Sequence, residues 1–399
     1  MLSNRFSFRP YDLPLSYLIH SHGNNMKILP VILLLSGLLI TLILPAYASD
    51  TLSVEYYTVQ EYLELHPDEV KLMGTFDDLV TAPGTKIGIQ QERPVRIAIV
   101  YPGIQASDYW RRSVLSFKKR MDEIGIAYEI HEFFSKPSLQ ARAQAEHIRK
   151  ALASDPDYLV FTLDVGKHKT IIEKILTRDR PKLILQNITT PVRSWEGRQP
   201  FLYVGFDHQI GTKLLARYFL RKHGSTGPYS VLYFSRGYVS TMRGDTFIQS
   251  MKQGSYRTLR DAYYTDGDRL KAKAATLDIL DKSPVDFIYA CSTDIALGAL
   301  DALREKGMIG KIPVNGWGGG SAELEAILQG DLDVTVMRNN DDNGVAMAEA
   351  IKLELEGNEG KIPTIYSGKF FLVEKGIGQA RLNDLIVEAF RYSGEAELQ

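Results

Sequence analysis

Nine side chains in this sequence are of types that grip small polar molecules, and they fall just beyond the ends of apolar runs. Gln105, Ser107 and Trp110 follow one run and Asn187 follows another. Arg243 comes after a third, Thr293 and Asp294 after Cys291, and Trp317 after Asn315, while Arg338 ends a run that begins near Asp333. Amides, hydroxyls and a carboxylate supply directed hydrogen bonds, flat indoles cover the faces of a ring, and two guanidiniums imply an anion. Singly, each has a duller explanation. Indoles are mostly core, Asn and Thr after a strand mostly cap or turn, and Asp294 could simply cap the helix it opens. Their joint placement at successive strand ends is what points to one site for a small anionic ligand.

The elements that must position these groups are legible from Val95 onward, where buried apolar stretches alternate with amphipathic helices, the pattern of a parallel sheet covered on both faces. The predicted strands of a first half are 95–101, 128–134, 158–163, 182–186 and 201–206. Between them, the helix predicted over 109–124 repeats Val114, Phe117, Met121 and Ile124 at spacings of three and four. The alternation restarts after Asp207 with strands 230–234, 261–265, 286–291, 312–315 and 333–337. Pro94-Val95-Arg96-Ile97-Ala98-Ile99-Val100 opens the first half much as Pro228-Tyr229-Ser230-Val231-Leu232-Tyr233-Phe234 opens the second.

The expected fold is therefore α/β: two doubly wound parallel-sheet lobes joined by a hinge of three crossovers, near 206–208, 338–342 and 367–369. The N-terminal lobe would comprise 94–206 and 338–366, and the C-terminal lobe and tail 207–337 and 367–399. Two short helices over 59–66 and 67–80 make 49–93 a wrapper. Ligands of such sheets sit at the carboxyl ends of the strands, so two facing lobes place strand-end loops on both walls of one cleft.

Other segments narrow the class. An apolar stretch over 28–44 follows Met26 and Lys27 and precedes Ala46-Tyr47-Ala48, the layout of a secretory signal cleaved after Ala48. Translation is expected to start at Met26, with 1–25 a leader and 26–48 the signal peptide. Lys and Arg number 47 against 48 Asp and Glu, a balance without the cationic field that general nucleic-acid binding needs. The single cysteine, Cys291, excludes an internal disulfide framework and any CxxC pair. Gly316-Trp317-Gly318-Gly319-Gly320-Ser321 lacks dinucleotide spacing and a Walker lysine, and Asn339-Asn340-Asp341-Asp342-Asn343-Gly344 lacks the twelfth-position acid of a calcium loop. It reads instead as a hinge and helix cap. No HExxH or G-x-S-x-G motif occurs. An enzyme is not expected, and neither a metal nor a cofactor is implied.

From about Tyr56 to Ser393 the chain resembles the autoinducer-2-binding periplasmic proteins of the LuxP family of vibrios, within the type I periplasmic binding proteins. The likeness rests on Val100-Tyr101-Pro102-Gly103, on residues 183–193, on Arg243-Gly244-Asp245-Thr246-Phe247-Ile248 and on Asn315-Gly316-Trp317-Gly318-Gly319-Gly320-Ser321-Ala322-Glu323-Leu324. It implies a periplasmic receptor in quorum sensing whose ligand is the furanosyl borate diester of autoinducer-2, with boron part of the ligand. It also implies that the nine residues named above line the pocket, and that the partner is the periplasmic domain of the sensor kinase LuxQ. The leader and the loops 224–227 and 357–361 depart from the family. The alternative is a pentose- or hexose-binding protein of an ATP-driven importer. A repressor sharing the core would need an N-terminal helix-turn-helix where the signal segment stands.

Overall fold

The computed structural model describes residues 54–137, 141–163, 166–282 and 284–394. The expected leader, signal peptide and cleavage point lie outside the described residues. In chain order the strands are β1 (Val95–Tyr101), β2 (Tyr128–Phe134), β3 (Tyr158–Thr162), β4 (Lys182–Gln186), β5 (Leu202–Gly205), β6 (Thr226–Tyr233), β7 (Tyr256–Tyr264), β8 (Phe287–Ala290), β9 (Asn315–Gly318), β10 (Val334–Arg338), β11 (Ile365–Ser367) and β12 (Phe370–Glu374).

One lobe is built on a six-stranded parallel sheet in the order β11-β5-β4-β3-β1-β2. Its central strands are almost wholly buried because helices cover both faces, and the alternation of a strand sorts its residues between two layers. Ile97, Ile99 and Tyr101 of β1 join Val114, Phe117 and Met121 of the Tyr109–Ile124 helix on one face. Ala98 and Val100 join Ile148 and Ile172 on the other. The Val59–Leu65 and Pro67–Thr81 helices wrap this lobe, Thr58 capping the former and Phe76 and Val80 of the latter entering the core.

The other lobe contains the sheets β7-β6-β8 and β12-β10-β9, with β12 antiparallel. A single parallel bridge, Ile288 to Val314, joins them edge to edge. Asn315 closes this seam with its side chain, its amide nitrogen donating to the Ala290 carbonyl (2.9 Å) and its oxygen accepting from the Ala290 N–H (3.0 Å). Here the side-chain amide does the work of a peptide group in the ladder.

Three crossovers link the lobes: β5 to the His208–His223 helix, β10 to the Asp341–Leu355 helix packed on Tyr109–Ile124, and β11 to β12. The tail differs from the sequence expectation. The Gln379–Ala389 helix and Phe390 belong to the C-terminal lobe's core, but residues 391–394 return to the N-terminal lobe. There the Tyr392 and Ser393 N–H groups donate to Asp341 Oδ2 at 2.7 and 2.6 Å, and Arg391 pairs with Asp342. Two carboxylates at the first turn of the Asp341–Leu355 helix thus draw the chain back across the boundary.

Candidate functional site: the interlobe cleft

The lobes close over a narrow cleft at the carboxyl ends of the strands. Gln105, Ser107, Tyr109, Trp110 and Asn187 line one wall, and Arg243, Ser292, Thr293, Trp317 and Arg338 the other, with Pro102, Phe234 and Val239 completing it. Of the nine residues expected at a site, eight are in this lining. Asp294 is not. It stands in the first turn of the Thr293–Glu305 helix and its two oxygens accept the Ala106 and Ser107 N–H groups at 2.9 and 3.3 Å. Burial pushes its carboxyl above the usual range in spite of these two donors. The carboxylate therefore clasps the opposing loop. Asp294→Ala is expected to weaken every ligand alike, by about 1 to 2 kcal/mol, because it removes acceptors of the closed state only. Titration with an anionic and a neutral ligand checks this, and a change in their ratio would return Asp294 to the pocket wall.

The two guanidiniums set the electrostatics. Arg243 lies on a π turn, Thr241–Asp245, inside a longer helical run from Tyr238 to Gly254, an irregularity often found where a helix must aim a functional side chain. Its Nη1 donates to the Cys291 carbonyl (2.8 Å) and its plane lies 3.7 Å from the centre of the Trp317 ring. Arg338, the last residue of β10, lies 3.9 Å over Tyr109 of the opposite lobe. Both are buried, neither forms an ion pair with a carboxylate among the described residues, and the Nε of each lacks a hydrogen-bond partner. Burial, and secondarily Arg338, pushes Arg243 down to about 9, and burial also lowers Arg338. Aromatic faces hold the two cations where acids would usually pair with them, and Arg243 also places Nη2 3.5 Å from His208 Nε2.

This alters the role expected for Trp317. One face of its indole is the bed of Arg243, so that face is not available to cover a ligand ring. Trp110 is held by Tyr101 and Tyr109, with ring centres 4.5 and 4.8 Å away. Asn187 adopts a left-handed backbone (φ 69°) at the end of β4, a conformation asparagine tolerates better than most residues, and its side-chain oxygen meets His208 Nε2 at 3.2 Å. Burial, then the two arginines, holds His208 far below its ordinary range, so the ring is neutral. Its Nε2 stands between the Asn187 amide oxygen and Arg243 Nη2 (3.5 Å), so the ring backs the amide from behind the wall. Sequence reasoning missed Tyr109, Ser292 and His208. Tyr109 neighbours Trp110 and Ser292 neighbours Thr293, but His208 gave no signal, because it acts through Asn187.

Beside the cavity the lobes meet at a second contact. Asp108, just after the Gln105–Ser107 loop, accepts from the Ser321 N–H (3.1 Å) and hydroxyl (2.9 Å) at the end of the glycine-rich turn that follows Trp317. Despite its burial, Arg112 and these donors hold the Asp108 carboxyl below the usual carboxylate range. The approach is so close that a Cβ on Gly320 would run into Asp108 Oδ1.

Similarity to known proteins bears out this architecture. A solute-binding protein of an ABC transporter from Agrobacterium vitis, bound to alpha-D-tagatopyranose, superposes with a TM-score of 0.65 at 17% identity, covering 72% of this chain and 98% of that one. A periplasmic solute-binding protein from Actinobacillus succinogenes with bound D-allose gives 0.61 at 19%, covering 71% and 98%. The structure of a XylFII–LytSN complex also gives 0.61, at 15% identity, covering 71% and 98%. At these identities the likeness speaks for the fold. The sequence itself matches the periplasmic binding protein domain over residues 97–359, well over half its length. The two-lobed α/β chain, with its cleft between the lobes, belongs to the periplasmic binding protein family.

Proposed function

We propose that this protein is a periplasmic receptor for an anionic cyclic polyol, the furanosyl borate diester of autoinducer-2, and that closure of its cleft reports the ligand to a membrane sensor kinase. The observation that carries the reading is the pair of buried guanidiniums, Arg243 and Arg338, facing one cleft with no carboxylate ion-paired to either among the described residues. A neutral sugar would leave both charges uncompensated in a desolvated site, whereas a tetrahedral borate diester brings one negative charge between them. The wall residues Gln105, Ser107, Asn187, Ser292 and Thr293 can pair with the ligand's hydroxyls. The LuxQ periplasmic domain is the partner this reading implies, and a relative of the same fold, XylFII, forms a complex with a second protein, LytSN.

A neutral pentose or hexose ligand delivered to an ATP-driven importer is the second reading, favoured by the bound D-allose and tagatopyranose of the relatives. Mass and boron analysis of the ligand released from purified protein separates the two. Autoinducer-2 with stoichiometric boron is the expected result, together with titrations in which omitting borate abolishes tight binding. A boron-free sugar in the released fraction, with D-allose or a pentose binding tightly, would establish the importer reading instead.

A further inference from the structure

Arg112 is the most fully committed side chain at the lobe boundary. It stands on the Tyr109–Ile124 helix, has no exposed surface, and donates in three directions. Its Nε reaches Asp108 Oδ2 (2.8 Å) on its own lobe, and Nη2 reaches the Ser321 hydroxyl (2.8 Å) on the other. Nη1 reaches the Ser393 hydroxyl (2.9 Å) and the Gly394 carbonyl (2.7 Å) of the returning tail. Its plane rests 3.6 Å over the ring of Phe390, which is rooted in the C-terminal lobe's core. One cation therefore ties together the loop that precedes Asp108, the turn that follows Trp317, and the returning tail.

The tail segment 391–394 is anchored as well. Ser393 and Tyr392 donate to Asp341, Arg391 pairs with Asp342, and the Tyr392 hydroxyl meets Arg120 and Glu123. Between Phe390 in one core and Arg391 on the other lobe the chain crosses the boundary a fourth time, beside the β10 crossover. Opening the cleft separates Arg112 from Ser321 and Phe390, and a pinned tail holds the guanidinium in the position that makes those contacts.

We infer that Arg112 is a positioning residue for the ligand cleft, and that the tail segment Arg391–Gly394 is a strap which, through Arg112 and Ser321, biases the receptor toward its closed state. Neither touches the cavity. Ser393 and Ser321 stand on opposite nitrogens of one guanidinium, so the strap's effect on closure passes through a bond that can be removed independently. The inference concerns the lobes alone and holds whichever ligand the cleft takes.

The experiment is a double-mutant cycle on the full chain. Ser393→Pro removes the hydroxyl from Arg112 and the N–H from Asp341, and Ser321→Ala removes the opposing acceptor. Spin labels at Glu129→Cys and Tyr256→Cys, on exposed outer edges of the two sheets, read the interlobe distance without ligand. Titration with autoinducer-2 plus borate, and separately with D-allose, reads affinity. Each single variant should shift the ligand-free distances toward longer values and weaken the ligand that binds by about three- to tenfold, and the double variant should be clearly less than additive, since both act through one group. Full additivity would show that the strap does not act through Arg112, and unchanged distances for Ser393→Pro would remove the strap altogether. If neither probe binds the wild-type protein, the ligand proposal fails while the distance cycle still decides the strap. Melting curves on both variants identify loss of fold, in which case Ser393→Ala, which keeps the backbone bonds to Asp341 and loses the hydroxyl on Arg112, replaces Ser393→Pro under the same criteria.

Discussion

Arg243→Ala and Arg338→Ala each weaken binding of autoinducer-2 plus borate by about 2 to 5 kcal/mol, because the anion stays desolvated while losing a charge-assisted partner. The two positions differ in detail. Arg243 is fixed within its own lobe by the Cys291 carbonyl and the Trp317 ring, so its loss removes a preformed donor. Arg338 gains its Tyr109 bed only when the lobes meet, so its loss also weakens closure. For a neutral sugar the same changes act in the opposite direction or not at all, since deleting one of two like charges relieves their repulsion in a buried site. Calorimetric titration of both variants with the two ligand types checks the prediction. Equal losses for charged and neutral ligands would show that the guanidiniums serve as plain hydrogen-bond donors and that the charge argument fails.

Gly320→Ala keeps the cleft from closing. Gly320 sits at φ −75°, ψ 176°, a conformation alanine adopts freely, so the substitution does not strain the C-terminal lobe. Its nearest obstacle is Asp108 of the facing lobe, which the new methyl meets when the lobes come together. Overpacking of this kind costs about 1 to 3 kcal/mol, charged here to the closed state alone. Ligand should therefore bind roughly tenfold or more weakly, and the contraction in radius of gyration expected on binding in the wild type should shrink or vanish. Small-angle scattering with and without ligand reads this directly. A wild-type contraction in the variant would mean that the lobes close along another path and that the Asp108–Ser321 contact does not gate them.

The strands that position the first wall were legible because they are long, apolar and bounded by polar turns. The bounds read for β1, β2, β4 and the Tyr109–Ile124 helix coincide with those of the structure. Where the reading slipped, glycine and charge were the cause. A strand was expected over 312–315, but β9 is Asn315–Gly318, where the buried Glu323 carboxylate accepts the Trp317 and Gly319 N–H groups and leaves no room for a Cβ at Gly316. β7 was expected only over 261–265. It runs Tyr256–Tyr264 as an edge strand whose alternating exposure admits Arg257, Arg260 and Asp261. β11 has only three residues and β12 is half-buried, and neither was recognised as a strand. At the site, residue types at strand ends found the wall, but type alone could not tell that Asp294 turns away or that Trp317 spends a face on Arg243. Those outcomes depend on which neighbour is nearer once the lobes meet. The tail's return depended on Asp341 and Asp342, which as a sequence motif suggested only a hinge and cap.

The stacking of Arg243 on Trp317 also gives the protein an optical gauge. Only three tryptophans are present: Trp110 and Trp317 stand in the cavity wall, and Trp195 lies apart from it, its indole nitrogen donating to Glu173. A guanidinium drawn toward a bound anion moves across the face of one indole while the other stays wedged between two tyrosines. The native emission of the unlabelled receptor is thus wired to the charge of whatever enters, and occupancy can be followed with light alone.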